Sequence, residues 1–306
     1  MEAENKSIEQ IIYDLKPEER EVLEKLKHHV EVEKGVKNRR FDDAYYLRFC
    51  LARQFDLKKV LEMFDNLLEW REAKNVDNVC KLDFPWRAEM KQYHFSTFYG
   101  LTKTKHPLYI QSYRNFNSKK MFALCSIDDT YNLAMTEYEK LVHLVLPAAT
   151  KHNGFFTREI VSIVDVKPLG ITSAANSKLR EFGGKTLKMS QKFYPEITKK
   201  VYIINAAMTF KAIWKLCKTI LDKNTVSKIT LLGTNYQKTL IEEIGAENLP
   251  VEYGGTCKDP IKEPRGPWAE AWKRSEEEHR LFFDSDDEEK EEVTGDKEGE
   301  EKPSLD

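Results

Sequence analysis

Apolar positions recur at helical spacing through the N-terminal part of the chain. In LKPEEREVLEKLKHHVEVEKG, Pro17 opens a helix, Val22, Leu23, Leu26 and Val30 share one face, and Gly35 ends the run. Asp42 or Asp43 can cap a second helix carrying Tyr46, Leu47, Phe49 and Cys50. Asp56 can cap a third, with Val60, Leu61, Phe64, Leu67, Leu68 and Trp70 inward. Each helix has one apolar face, so the spacing predicts small antiparallel helices resting against another part of the chain.

The pattern changes after Trp86. Short apolar segments predict strands at Ser96 to Tyr99, Leu108 to Tyr113, Glu159 to Val166, Lys200 to Ala206 and Ile229 to Leu232. Helical patterns lie between them, near 128–151, 172–193 and 208–221, with a short one from Gln237 to Ile244. Strands alternating with crossover helices imply an α/β fold with a largely parallel sheet. The stretch from Phe193 to Gly255 condenses this plan: a strand, a helix with one apolar and one lysine face, a turn, a second strand and a Gly-Gly stop. Gly183-Gly184 is expected to interrupt the helix in which it stands, at about 1 kcal/mol for each glycine. From residue 261 the chain has little apolar periodicity beyond Trp268 and Trp272, and its last thirty residues are too charged to fold alone. The expected organisation is a helical lobe over 1–88, an α/β domain over 89–260 and an acidic, disordered tail over 261–306.

Charge sharpens this division. Residues 275–306 hold 15 acidic against 4 basic side chains, which leaves 45 basic against 36 acidic, a net of +9, in the body. A basic body suits an anionic surface, either nucleic acid or the phospholipid face of a membrane. No apolar run is long enough to span a bilayer and the first residues do not read as a secretion signal, so a cytosolic protein is expected. Cys50, Cys80, Cys125, Cys217 and Cys257 are odd in number and include no C-x-x-C pair, which argues against a disulfide framework or a zinc site.

Catalytic patterns are missing. The chain has no G-x-S-x-G elbow, Walker loop, G-x-G-x-x-G after a strand or H-E-x-x-H. His28-His29 stands on a charged helix and reads as solvated. Asp165, at the end of IVSIVDV, is placed where a catalytic carboxylate can sit, but without a partner acid or base it reads as a brace for the strand end. No enzyme, cofactor or metal is expected.

Four segments in order, DDAYYLRFCLARQFD, YPEITKKVYIINA, ILDKNTVSKITLLG and LPVEYGG, resemble the CRAL-TRIO lipid-binding family with its N-terminal helical lobe, over roughly residues 40–257. Within it the chain is similar to the fungal-type phosphatidylinositol/phosphatidylcholine transfer proteins. The resemblance implies a mostly parallel sheet with helices, a deep apolar cavity and a mobile gate helix, here Thr209 to Leu221. Phe210, Ile213, Trp214, Cys217, Ile220 and Leu221 follow one face of that segment, and Lys211, Lys215 and Lys218 another.

The resemblance also implies a phosphatidylinositol headgroup site formed by Arg53, Glu196 and Lys228. For the second, phosphatidylcholine-type headgroup the aligned positions are Phe98 (next to Tyr99), Tyr109, Ile160 and Ser162. One family hydroxyl is thus replaced by Ile160 and one tyrosine by Phe98, so the second ligand is expected to differ. The function implied is a cytosolic carrier of a single phospholipid that exchanges it between membranes or presents it to lipid kinases. It would act peripherally on anionic membranes of the Golgi or endoplasmic reticulum, with no nucleic-acid partner. The same fold holding a sterol, tocopherol, retinoid or phosphatidylcholine, and a non-transferring membrane scaffold, are the alternatives. In the tail, Leu281 to Asp287, with Phe282, Phe283 and Asp284 at its core, resembles the motif that docks on major-sperm-protein domains of endoplasmic-reticulum receptors.

Overall fold

The computed structural model describes residues 5–167, 169–170, 173 and 175–281. The expected caps form. Asp42 accepts from the Tyr45 amide at 2.7 Å and starts Asp43–Ala52, Asp56 accepts from the Lys59 amide at 3.2 Å and starts Leu57–Lys74, and Pro17 opens Pro17–His28. The inward faces of these helices do not close on themselves. Leu23, Leu26, Phe49, Phe64 and Leu67 share one core with Leu141, Val145, Leu146 and Tyr194, so the helical lobe is packed as part of the α/β body.

Five strands form one sheet in the order β1 (Phe95–Leu101), β2 (Pro107–Ser112), β3 (Ile160–Asp165), β4 (Thr198–Ile204) and β5 (Ile229–Leu231). β1 and β2 are antiparallel and every later pair is parallel, which fits their long helical crossovers. Side chains alternate across the sheet. Tyr99, Leu108, Ile110, Val161, Ile163, Tyr202 and Ile204 point to one side and pack on Tyr236, Leu240, Ile244 and Tyr253. The opposite face is left over a cavity.

The helix expected near 128–151 forms, as one path from Ile127 to Asn153 through a π segment, Leu141–Val145. Other expectations are corrected. Ser177–Phe193 runs unbroken through Gly183 and Gly184, because its packing against Ile127–Lys140 outweighs the propensity cost. The gate segment is not one helix to Leu221. A 3-10 turn, Met208–Phe210, leads into Lys211–Lys218, and Asp222 then accepts from the Thr225 amide and begins a new helix, Lys223–Ser227.

The tail expected from 261 is folded as far as Leu281. Arg265 exchanges backbone hydrogen bonds with β1, its amide to Phe98 and its carbonyl from Gly100. Trp268 is fully buried and donates to the Phe98 carbonyl at 3.2 Å, and Trp272, in the helix Ala269–Glu277, lies 5.4 Å from the Phe98 ring. Two buried tryptophans anchor what composition alone reads as solvated chain. Leu281 is also buried, so the receptor-docking segment does not begin as free chain; Phe282, Phe283 and Asp284 lie outside the described residues.

A buried charge ties the lobe to the body. Glu139 is fully enclosed and accepts from Arg71 at 3.0 and 2.9 Å and from the Tyr194 hydroxyl at 2.8 Å. Burial works against its charge, but the adjoining Arg71 guanidinium wins and holds the carboxyl at about 2. Arg71 Nε also donates to Asp77 at 3.0 Å, so losing the Glu139 charge leaves the buried guanidinium with one partner instead of two. Glu139→Gln is therefore expected to cost about 1–3 kcal/mol in urea unfolding; a loss under 1 kcal/mol would contradict this role.

Burial also keeps two histidines neutral, His94 at about 4 and His143, in spite of Glu139 3.7 Å away, at about 3. From pH 6.5 down to about 4 the unfolded chain therefore binds protons that the folded chain does not, which removes up to about 1.4 kcal/mol per pH unit per histidine. The unfolding midpoint should fall between pH 7 and pH 5, and a flat profile would contradict it.

Candidate functional site

The free face of the sheet floors a cavity of about 1270 Å³. Strand alternation supplies the floor: Ser96 and Phe98 from β1, Tyr109 and Gln111 from β2, Ile160, Ser162 and Val164 from β3, Val201 and Ile203 from β4, and Ile229 from β5. The helices Ile127–Lys140 and Ser177–Phe193 form the walls through residues such as Leu133, Tyr138, Phe182 and Leu187. The lining is mostly apolar, and its volume lies above the usual range for small-molecule sites.

The segment 208–221 covers this space. Phe210, Ile213, Trp214, Cys217, Ile220 and Leu221 all line the cavity, joined by Leu216 and Thr219, whereas Lys211, Lys215 and Lys218 do not. The cover is loose. Phe210 is buried, yet no residue of Lys211–Lys218 is, and Met208 and Leu216 are exposed by 75% and 45%. An amphipathic helix with few buried side chains has little packing to hold it in place.

One end of the cavity carries charge. Lys228, which ends Lys223–Ser227 just ahead of β5, donates to the Thr198 carbonyl at 2.7 Å and to Glu159 at 3.2 Å, with Glu196 at 4.0 Å. Glu196 follows Pro195 with a left-handed backbone, φ +54°, a conformation that a non-glycine residue adopts at a cost. Its carbonyl is held by Arg48, which is buried and also bonds the Arg158 carbonyl at 2.8 Å. Burial and the neighbouring Arg158 charge lower the Arg48 guanidinium to about 10. Arg53, at the end of Asp43–Ala52, also lines the cavity; its Nη1 donates to the Ala52 carbonyl at 3.0 Å. The structure thus brings Glu196 and Lys228 together and gives Arg53 no contact with either, its bond to Ala52 leaving most of its donors unused.

Of the second-ligand positions, Phe98, Tyr109, Ile160 and Ser162 line the cavity, with the Phe98 and Tyr109 rings 5.0 Å apart. Tyr99 does not. It points to the other face of the sheet, where its hydroxyl donates to the Asp259 carbonyl at 2.8 Å, because successive residues of a strand face opposite ways. Asp165 is a brace: fully buried, it pairs with Arg114 and accepts from Asn205 at 2.8 Å and from the Lys167 amide at 3.2 Å.

Two positions in contact with Lys228 and Glu196 escape sequence reasoning. Glu159 neutralises Lys228; its one signal is an acid directly ahead of an apolar strand. Arg48 fixes the Glu196 backbone; its signal is a cation among the inward apolar residues of DAYYLRFCLA. Among the described residues no group of His, Cys, Asp and Glu is arranged to hold a metal ion, and no helix is long and apolar enough to cross a membrane.

Comparison with known proteins agrees with this architecture. Residues 91–255 match the CRAL/TRIO domain. The chain is 34% identical over 247 residues to the Sec14 cytosolic factor of Schizosaccharomyces pombe, a match covering 79% of this chain and 85% of that protein. It is 31% identical over 237 residues to the phosphatidylinositol/phosphatidylcholine transfer protein SFH4 of Arabidopsis thaliana, covering 75% of this chain and 39% of that longer protein. The crystal structure of Sfh5 shares the fold, with a TM-score of 0.60 over 81% of this chain and 90% of that one at 18% identity. With the match spanning more than half its length, the chain belongs to the CRAL/TRIO domain family.

Proposed function

We propose that the chain carries single phosphatidylinositol molecules between membranes through the cytosol, without chemical turnover. The observation that supports this reading most is an apolar cavity of about 1270 Å³ whose lining includes the neighbouring Glu196 and Lys228, and Arg53. Burying a CH₂ group is worth about 0.8 kcal/mol, so taking two acyl chains through bare water costs on the order of 20 kcal/mol, and an apolar cavity removes that barrier. Headgroup selection falls to the polar end. Arg53 has donors to spare for a phosphate, Lys228 can exchange its carbonyl partner for one, and Glu196 can accept inositol hydroxyls. The relatives named as cytosolic factors and as phosphatidylinositol/phosphatidylcholine transfer proteins favour the same reading.

Lipid entry belongs to the 208–221 segment. Exposed Met208 and Leu216 stand beside Lys211, Lys215 and Lys218, which suits an apolar insertion flanked by contacts to anionic headgroups. Swinging this segment outward would open the wall that it now forms.

Lys228→Ala and Glu196→Ala are each expected to lower phosphatidylinositol transfer between vesicles by about 10- to 100-fold, the equivalent of one charge-assisted hydrogen bond, while the protein stays folded. Unchanged transfer would refute the headgroup assignment. Replacing Lys211, Lys215 and Lys218 together by alanine should weaken sedimentation with phosphatidylserine vesicles about 100-fold, at about 1 kcal/mol per lysine, and leave binding to neutral vesicles much less affected. Equal losses on both vesicle types would contradict the electrostatic contact.

A further inference from the structure

The positive charge of the body is gathered in one region. Residues 177–228 hold 12 basic against 3 acidic side chains, which leaves 33 against 33 in the rest of residues 1–274. The elements of this stretch are neighbours in space as well as in sequence. Gln191 of Ser177–Phe193 accepts from the Asp222 amide at 3.1 Å and donates to the Thr225 hydroxyl at 3.4 Å, and the Val201 amide of β4 donates to the Lys228 carbonyl at 3.0 Å. A Cβ added at Gly184 would lie 3.9 Å from Ile220. The helix Ser177–Phe193 and the 208–221 segment thus meet where both line the cavity.

The acids of this face are already engaged. Glu181 and Asp128 take Lys185, at 3.1 and 3.2 Å, Asp222 caps its own helix through the Thr225 amide and hydroxyl, and Glu196 stands beside Lys228. Lys188, Lys192, Lys211, Lys215, Lys218 and Lys223 are all exposed, and among the described residues none of them pairs with a carboxylate. Like charges gathered in this way repel one another, so an anionic partner is favoured there.

The matching charge lies in the same chain. Residues 282–306 carry 12 acidic against 3 basic side chains, a net of -9 against the +9 of residues 177–228. They leave the body at Leu281, which is buried in the core that also holds Trp272 and Phe98 of β1. β1 and β5 are the two edges of the sheet, four strand spacings or about 19 Å apart. A segment of this length reaches at most about 80 Å, so it can cross the sheet with length to spare. Its tether holds the acids at an effective concentration on the order of millimolar, enough to populate a contact of modest strength.

We propose that the acidic segment 282–306 docks on the cationic face formed by Ser177–Phe193 and the 208–221 segment, as an ionic latch that an anionic bilayer displaces. The contact joins a helix packed on Ile127–Lys140 to a cover in which no residue of Lys211–Lys218 is buried, so it fastens that cover in place. It also occupies the lysines that would meet anionic headgroups. Bilayer and tail therefore compete for the same cations, and the latch opens on a bilayer rich in negative charge while it stays closed beside a neutral one. The docking stands on charge alone; its effect on lipid exchange rests on the reading of the protein as a carrier.

Zero-length carbodiimide coupling of the whole chain at low salt, read by peptide mass spectrometry, locates the docked carboxylates. Cross-links from Asp284 to Glu301 should fall on the six exposed lysines about 5-fold or more as often as on exposed lysines elsewhere, and should fade in about 0.5 M salt or on adding phosphatidylglycerol vesicles. A second measurement neutralises the tail. With Asp286, Asp287, Glu288, Glu289, Glu291 and Glu292 changed to Asn or Gln, sedimentation with phosphatidylserine vesicles should tighten about 10-fold, and most of that gain should vanish when Lys211, Lys215 and Lys218 are alanine. Three results would overturn the proposal: cross-links spread evenly over the body, cross-links only to a second copy of the chain, or an equal gain with and without the three lysines, which marks plain repulsion between tail and bilayer. If the cross-links and the gain appear but no variant transfers phosphatidylinositol, the carrier reading falls and the docking stands; if phosphatidylinositol is transferred and the cross-links are spread, the docking alone falls.

Discussion

An apolar sheet face without a packed layer of side chains against it is the constraint on which this molecule turns. Period-2 alternation makes both faces of β2, β3 and β4 largely apolar, as expected of strands buried on two sides. One face is filled by Tyr236, Leu240, Ile244 and Tyr253. The other is bridged at a distance by two helices and a loosely held segment, leaving about 1270 Å³. Protein interiors do not ordinarily tolerate such a void, since its lining forfeits dispersion contacts on one side. Acyl chains would supply the missing layer. On the proposed reading, carrier and gate are both consequences of one uncovered face.

The charged end depends on the helical lobe. Arg71 and Arg53 come from its helices, and Glu139 and Tyr194 from the body. The Arg71–Glu139–Tyr194 contacts fix the chain directly before Pro195 and Glu196, and Arg48, also from the lobe, holds the Glu196 carbonyl. The left-handed backbone at Glu196 is thus held from both sides. On the proposed reading the headgroup site is shared between two parts of the chain, and a buried ion pair, of little use to stability by itself, stands at their junction.

Much of this was legible in the sequence because it is written in spacing. The caps at Asp42 and Asp56, the strand segments and the two faces of residues 209–221 follow from local periodicity, and Arg53, Glu196 and Lys228, singled out by their motifs, line the cavity over the free sheet face. What escaped depends on partners distant in the chain. Tyr99 reads in the sequence as a neighbour of Phe98, but adjacent strand residues face opposite ways. The acidic composition after residue 261 hid Trp268 and Trp272, whose burial is decided by the edge of β1. Glu159 and Arg48 acquire meaning only from register and from lobe packing, which no single segment encodes.

The most direct test of the central claim is native mass spectrometry of the purified full-length chain after incubation with mixed vesicles of phosphatidylinositol, phosphatidylcholine and phosphatidylserine. The account predicts one lipid per protein, with phosphatidylinositol enriched over its share in the vesicles and the enrichment lost in Lys228→Ala. A chain that emerges without lipid, or with lipids in the vesicle proportions, would contradict it.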